Sequence, residues 1–232
     1  MKEHEFDGHA RTYTEVLDES IAFVGGDHAY FAEYKIRDLH REVVASRGDV
    51  EGLKILDFGC GVGESVPYVA RYFRKPEITA VDVSEESLNV ARTRYDGQAS
   101  FVAIGVDGLS AEISGIDAAY AMCVFHHIDW DMHIDMLSAI HERLNPGGML
   151  MIYEHNPLNP LTVRVVNNCP FDANARLIRG AEMAERCRKA GFHDVSVHYR
   201  VFFPGFLKPL AFLEGALTWL PLGGQYYVRA YA

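Results

Sequence analysis

Between residues 53 and 153 the chain repeats one pattern, a short apolar run followed by a stretch with helical spacing. The runs are 53–58, 78–83, 100–104, 116–123 and 149–153, and the helical stretches are 63–74, 85–94 and 131–144. A short continuous apolar run fits a strand buried on both faces, and a parallel sheet covered by helices is where such strands sit. The alternation therefore predicts an α/β fold, a doubly wound, mostly parallel sheet with helices on both faces. Local signals agree. Ser84 is a good N-cap, with Glu85 and Glu86 in the first turn where the helix dipole favours anions. Asn145-Pro146-Gly147-Gly148 stops the fourth helix and turns into the next strand.

The flanks are different. Residues 7–20 and 27–47 read as two helices divided by Gly25-Gly26. In the second, Phe31, Tyr34, Ile36, Leu39, Val43 and Val44 recur at threes and fours, and the charges of Glu33, Lys35, Arg37 and Asp38 fall between them. After Glu154 the order loosens. Residues 156–172 hold Pro157, Pro160 and Pro170 and a short helix near 161–167. Residues 181–190 read as a helix closed by Gly191, 195–201 as a strand, 204–220 as an apolar, partly helical excursion and 225–232 as a final strand. One domain of 232 residues follows: an N-terminal helical cap (1–48), a core (49–155), and a remainder with lid insertions (156–232).

Charge narrows the partners. Lys and Arg total 22 against 32 Asp and Glu, a net −10, which repels a phosphate backbone. Cys60, Cys123, Cys169 and Cys187 form no C-x-x-C pair and read as small buried residues of a reducing cytoplasm. Residues 1–10 are polar, without a signal core, and 215–228 are too short and too interrupted to span a bilayer.

The first run leads directly into glycines: Asp57-Phe58-Gly59-Cys60-Gly61-Val62-Gly63-Glu64. Glycines let a backbone turn tightly and approach a ligand, and in a doubly wound sheet this first strand-to-helix turn lies where nucleotides bind. The dinucleotide pattern G-x-G-x-x-G requires glycine at 64, where this chain has Glu. A carboxylate there, with Asp57 before the bend, opposes a pyrophosphate at the helix N-terminus. The two acids suit a ligand with an ammonium and a sulfonium and no phosphate. The second run ends Val81-Asp82-Val83, and an acid at that place can accept both hydroxyls of a ribose.

These residues resemble the class I S-adenosylmethionine-dependent methyltransferases, small-molecule type. The resemblance rests on 57–63, on Asp82, on Asp107-Gly108 after the third strand, on Cys123-Val124-Phe125-His126-His127-Ile128 ending the fourth, and on Leu144-Asn145-Pro146-Gly147-Gly148 before the fifth. It covers about residues 50–155. It implies a seven-stranded sheet with the last strand antiparallel, and S-adenosylmethionine as cofactor. By that resemblance Gly59 and Gly61, with Cys60 between them, pass under the methionine part of the cofactor, and Asp57 contacts its amino group. Asp82 holds the ribose hydroxyls, Val83 packs on the adenine, Asp107 accepts from the adenine amino group with Gly108 beside it, and Cys123 offers backbone to the ammonium. Phe6-Asp7-x-x-Ala10-x-x-Tyr13 resembles a cap in which the Tyr closes over the cofactor. A helix-packing aromatic is the alternative for Tyr13.

Methyl transfer is an in-line displacement that needs a dry, aligned site, and a base only where the nucleophile must lose a proton. The candidates at the carboxyl ends of strands four and five are His126, His127, Glu154 and His155. One of the two adjacent histidines is expected to face the pocket and the other to pack. His126, His127, Asp129 and His133 lie close in sequence, but their spacing matches no named zinc pattern, and no metal is expected.

The fourth strand lacks the Asp/Asn-Pro-Pro-aromatic motif common in methyltransferases of nucleic-acid nitrogens, which points to a small molecule and away from DNA or RNA. Phe23, Tyr30, Phe31 and Tyr34 before the core, and Phe202, Phe203, Phe206, Phe212 and Trp219 after it, read either as an apolar substrate wall or as cover for the sheet; a membrane-surface helix over 204–220 is disfavoured, because only Lys208 there is basic. The expected activity is methyl transfer to an O, N or C of a small, partly hydrophobic metabolite. The alternatives are a nicotinamide-dependent reductase and a non-catalytic S-adenosylmethionine-binding protein.

Overall fold

The apolar runs become neighbouring strands. The computed structural model describes residues 28–105, 108–172, 174–203 and 205–232. Helix α1 (His28–Arg47) precedes strand β1 (Lys54–Phe58), α2 (Val66–Tyr72), β2 (Glu77–Asp82), α3 (Glu85–Arg94), β3 (Ser100–Ala103) and β4 (Ile116–Met122). Then come α4 (His133–Arg143), β5 (Leu144–His155), α5 (Pro160–Asn168), α6 (Gly180–Lys189), β6 (His193–Arg200), α7 (Glu214–Leu217) and β7 (Gln225–Tyr231). The strands form one seven-stranded sheet in the order β3-β2-β1-β4-β5-β7-β6. Pairs from β3 through β5 are parallel, and β7 runs antiparallel between β5 and β6.

Successive strand residues point to opposite faces, and here both faces are apolar. Leu56, Phe58, Ala119, Ala121, Leu150 and Ile152 pack against Leu137 and Ile140 of α4 and Met183 and Cys187 of α6. Ile55, Ala118, Tyr120, Met149, Met151 and Tyr153 pack against Ile36, Leu39 and Val43 of α1 and Val66 and Val69 of α2. Burial on both sides explains why the runs in the sequence are continuous rather than alternating.

Two expectations shift, and two charges prove to be buried. Lys35 and Asp38 of α1 are 6% and 1% exposed. Lys35 stands on the same four-residue ladder as Phe31, Leu39 and Val43, and the sheet covers it. Helix α2 begins at Val66, later than the pattern suggested, because residues 59–65 form a bend. The 145–148 turn is drawn into the irregular start of β5, where Leu144 pairs with Ile116 and the Gly147 amide donates to Ala232 at 2.7 Å.

The predicted helix over 7–20 lies outside the described residues. The excursion after β6 contains a 3₁₀ segment (Gly205–Leu213) and α7, and leaves Phe212 and Trp219 78% and 73% exposed. Those two rings do not cover the sheet. No helix among the described residues is long and apolar enough to cross a membrane.

Candidate active site

The bend after β1 uses four of its own amides. Gly59 and Cys60 both donate to the Val81 carbonyl, at 2.8 and 3.0 Å, and Gly63 donates to Cys60 at 2.9 Å. Gly61 donates to Asp82 Oδ2 at 2.8 Å. A phosphate site at a glycine loop needs free N–H groups, and these four are already used. Asp82 Oδ1 accepts from the Ser84 amide at 2.9 Å, so this carboxylate clamps the bend to the end of β2. A carboxylate has about four acceptor sites, and these two amides take two of them.

Two glycines of the bend have different reasons. Gly59 has φ +76°, and a Cβ there would lie 2.5 and 2.7 Å from the Val124 methyls. Gly61 has φ +52°, and a Cβ there would meet nothing within 4 Å. The first glycine lets the bend close on the end of β4. The second faces open space, the room a ligand would use.

Beneath the bend, Asp57 is 2% exposed. It accepts from the Ser65 hydroxyl, which itself accepts from Tyr120 Oη at 3.0 Å. Burial pushes the Asp57 carboxyl up to about 7; Ser65 and Tyr120 pull it down only in part, and the charge of Asp82 adds to the rise. A buried carboxyl held this way gains from a cation and loses from an anion. The donors and acceptors present therefore fit the ammonium and ribose of S-adenosylmethionine. Asp57, Gly61 and Asp82 are the residues that would hold it.

Val124, against Gly59, leads into a 3₁₀ turn (Phe125–His127). Glu154, at the end of β5 and 1% exposed, organises that turn. Its Oε1 accepts from the amides of Val124 and Phe125 at 3.1 and 2.7 Å. Its Oε2 accepts from His126 Nδ1 at 2.5 Å. His126 Nε2 lies 3.2 Å from Asp172 Oδ1, and His127 Nε2 lies 3.4 Å from the same oxygen. Burial alone would lower the pKa of His126, but Glu154, with Asp172, lifts it to about 10. Despite burial, Asp172 is held well below the usual carboxylate range by His126 and His127. His155 sits 5.3 Å from the His126 ring, centroid to centroid.

Cys123 has φ +59° and is partly exposed. Lys35 Nζ donates to its sulfur at 3.3 Å. Burial pushes the thiol up, and Lys35 and His155 more than offset that, bringing it to about 7.

Residues 55–148 match the family model described as a methyltransferase domain. The chain is 28% identical over 180 residues to a ubiquinone biosynthesis O-methyltransferase of Xanthomonas oryzae pv. oryzae, covering 76% of this chain and 65% of that one. It is 28% identical over 159 residues to a fatty-acid O-methyltransferase of Mycolicibacterium smegmatis, covering 64% and 56%. A structure from Thermotoga maritima, described as an SAM-dependent methyltransferase and possible histamine N-methyltransferase, superposes with a TM-score of 0.67 at 21% identity over 99% of this chain and 98% of that one. Residues 55–148 are thus similar to a methyltransferase domain. The chain spans between about a quarter and two thirds of the length of the first curated relatives it matches.

Within the matched segment, Asp57, Gly59, Cys60, Gly61 and Asp82 converge on one bend. Val83 is partly buried and packs on the neighbouring core. The Gly108 amide donates to Gly105 at 3.1 Å. Tyr13 and Asp107 lie outside the described residues. His126 is buried and His127 is the more open of the pair. Asp129 and His133 do not join them. His133 is buried, donates from Nε2 to Ile128 O at 3.1 Å, and its Nδ1 accepts from Arg186 at 2.6 Å. Cys169 and Cys187 are buried as expected, whereas Cys60 and Cys123 are partly open.

Sequence reasoning missed Lys35, Ser65, Tyr120 and Asp172. A charge on the apolar ladder of α1 was the available signal for Lys35. Asp172, in a 3₁₀ turn (Pro170–Asp172), had none beyond its place in the proline-rich stretch.

Proposed function

We propose that the chain transfers the methyl group of S-adenosylmethionine to an oxygen of a small, partly apolar metabolite. The observation that carries this reading is a juxtaposition. The acidic glycine bend and the His126–His127 turn meet through Val124 and Gly59, at the carboxyl ends of adjacent strands. When bound, the cofactor supplies a methyl on a sulfonium. Asp57 receives its ammonium and Asp82 its ribose. The His126, His127 and Asp172 group lies at the same edge, where it can orient an acceptor hydroxyl.

The choice of oxygen is supported by the two O-methyltransferase relatives. The used amides of the bend oppose a nicotinamide dinucleotide. The test is to incubate the chain with S-adenosylmethionine and a panel of phenols, carboxylic acids and amines, and to follow S-adenosylhomocysteine. The expected result is release with a phenol or carboxylic acid. Turnover with amines alone would move the acceptor to nitrogen, and cofactor binding without any turnover would leave a non-catalytic binding protein.

A further inference from the structure

The cluster at the ends of β4 and β5 has a geometry that methyl transfer alone does not require. One ring nitrogen each of His126 and His127 and a carboxylate oxygen of Asp172 lie within 4.8 Å of one another. The Asp172 oxygen is 3.2 Å from His126 Nε2 and 3.4 Å from His127 Nε2. Electron-rich atoms this close need positive charge between them, supplied by protons or by a cation.

Those two separations are what neighbouring ligands of one ion span when bonds are about 2.1 Å and angles roughly 100–110°. His126 is also oriented from behind. Its Nδ1–H is committed to Glu154 Oε2 at 2.5 Å, and Glu154 is itself fixed by the Val124 and Phe125 amides. A carboxylate on one ring nitrogen sets the tautomer and turns the other nitrogen's lone pair outward, which is how metal-bound histidines are held. Charge agrees as well: with neutral rings, Glu154 and Asp172 carry two negative charges, matched by one divalent ion.

We propose that His126, His127 and Asp172 form a site for a single divalent transition-metal ion. Two imidazoles and one carboxylate select Zn²⁺, Mn²⁺ or Fe²⁺ over Mg²⁺ and Ca²⁺, which take oxygen ligands. No bond is made or broken in the protein beyond coordination; the ion replaces a proton on His126 Nε2, which leaves to solvent. Three protein ligands leave a coordination position open. A hydroxyl placed there would lose its proton more readily. That last use rests on the methyl-transfer reading, whereas the ion site itself does not.

The test is a titration of the tag-free full chain, stripped with chelator, with Zn²⁺ by calorimetry and with Co²⁺ by visible absorption, without S-adenosylmethionine. The expected result is one equivalent of tight binding. Asp172→Asn and His127→Ala should each weaken it by about tenfold or more, and His193→Ala, an exposed histidine elsewhere, should leave it unchanged. Circular dichroism and heat denaturation establish that each variant is folded, and wild type with either variant suffices to decide. Absence of binding by folded wild type, or equal affinity in the folded Asp172→Asn and His127→Ala variants, would overturn the site. Because the cofactor is left out, that failure would not touch the methyl-transfer reading, and a chain that binds metal yet never turns over would fail only the latter.

Discussion

Replacing Asp57 with Asn should stabilise the ligand-free protein at neutral and alkaline pH while weakening its hold on the cofactor. The carboxyl is buried, and burial moves it from an ordinary 3.8 to about 7. An acid whose pKa is raised on folding keeps its proton longer in the native state than in the unfolded chain. Stability is therefore fullest below about pH 4, falls as pH rises towards about 7, and is flat above. The interval is about three powers of ten, each about 1.4 kcal/mol, so ionising this group costs the fold about 4 kcal/mol. Asn keeps an acceptor for the Ser65 hydroxyl and has no proton to lose, so this fall should vanish from the variant. A ligand ammonium against Asp57 acts in the opposite direction. It favours the carboxylate, so wild-type affinity should rise between pH 6 and pH 8 with proton release, and the variant should show neither. Urea denaturation from pH 5 to pH 8 and calorimetry at the two ends measure both effects. Parallel stability curves for the two proteins, or equal cofactor affinity at pH 8, would refute the reasoning.

Other substitutions separate the parts of the site. Gly59→Ala forces a Cβ into the Val124 methyls at a left-handed φ, and should cost about 2–4 kcal/mol in urea denaturation. Gly61→Ala meets open space at a similar φ; it should cost only about 1 kcal/mol of stability and show its larger effect in cofactor titrations. Asp82→Ala removes the acceptor of the Gly61 and Ser84 amides, and calorimetry should find cofactor binding weaker by about 1–3 kcal/mol. Arg200→Met removes the two-pronged partner of Asp38, at 2.7 and 3.2 Å, and leaves a buried carboxylate with Arg41 alone. It should destabilise by about 3 kcal/mol, read from the urea midpoint.

What the sequence disclosed and what it withheld follow from distance along the chain. The strands were legible because both faces of the sheet are buried, which writes continuous apolar runs. The glycine bend was legible because its parts, from Asp57 to Gly63 with Asp82 at the end of the next strand, belong to one strand–turn–helix–strand unit. The burial of Lys35 and Asp38 was not legible, because periodicity counts only hydrophobicity. Their partners, Cys123 and Arg200, are 88 and 162 residues away, and only the sheet order brings them near. Asp172 stands 46 residues from His126, in a loop whose local pattern says turn and nothing more. The neighbours of the two histidines in sequence, Asp129 and His133, do not join them in space: α4 carries His133 into the core beneath Phe125, with the rings 5.3 Å apart.

A calorimetric titration of the chain with S-adenosylhomocysteine, run beside one with NADPH, tests the central claim most directly. A bend with four amides already spent and acids beside it that favour a cation should bind the thioether nucleoside one to one and give no heat with the dinucleotide. Saturable binding of NADPH, with S-adenosylhomocysteine left free in solution, would contradict it.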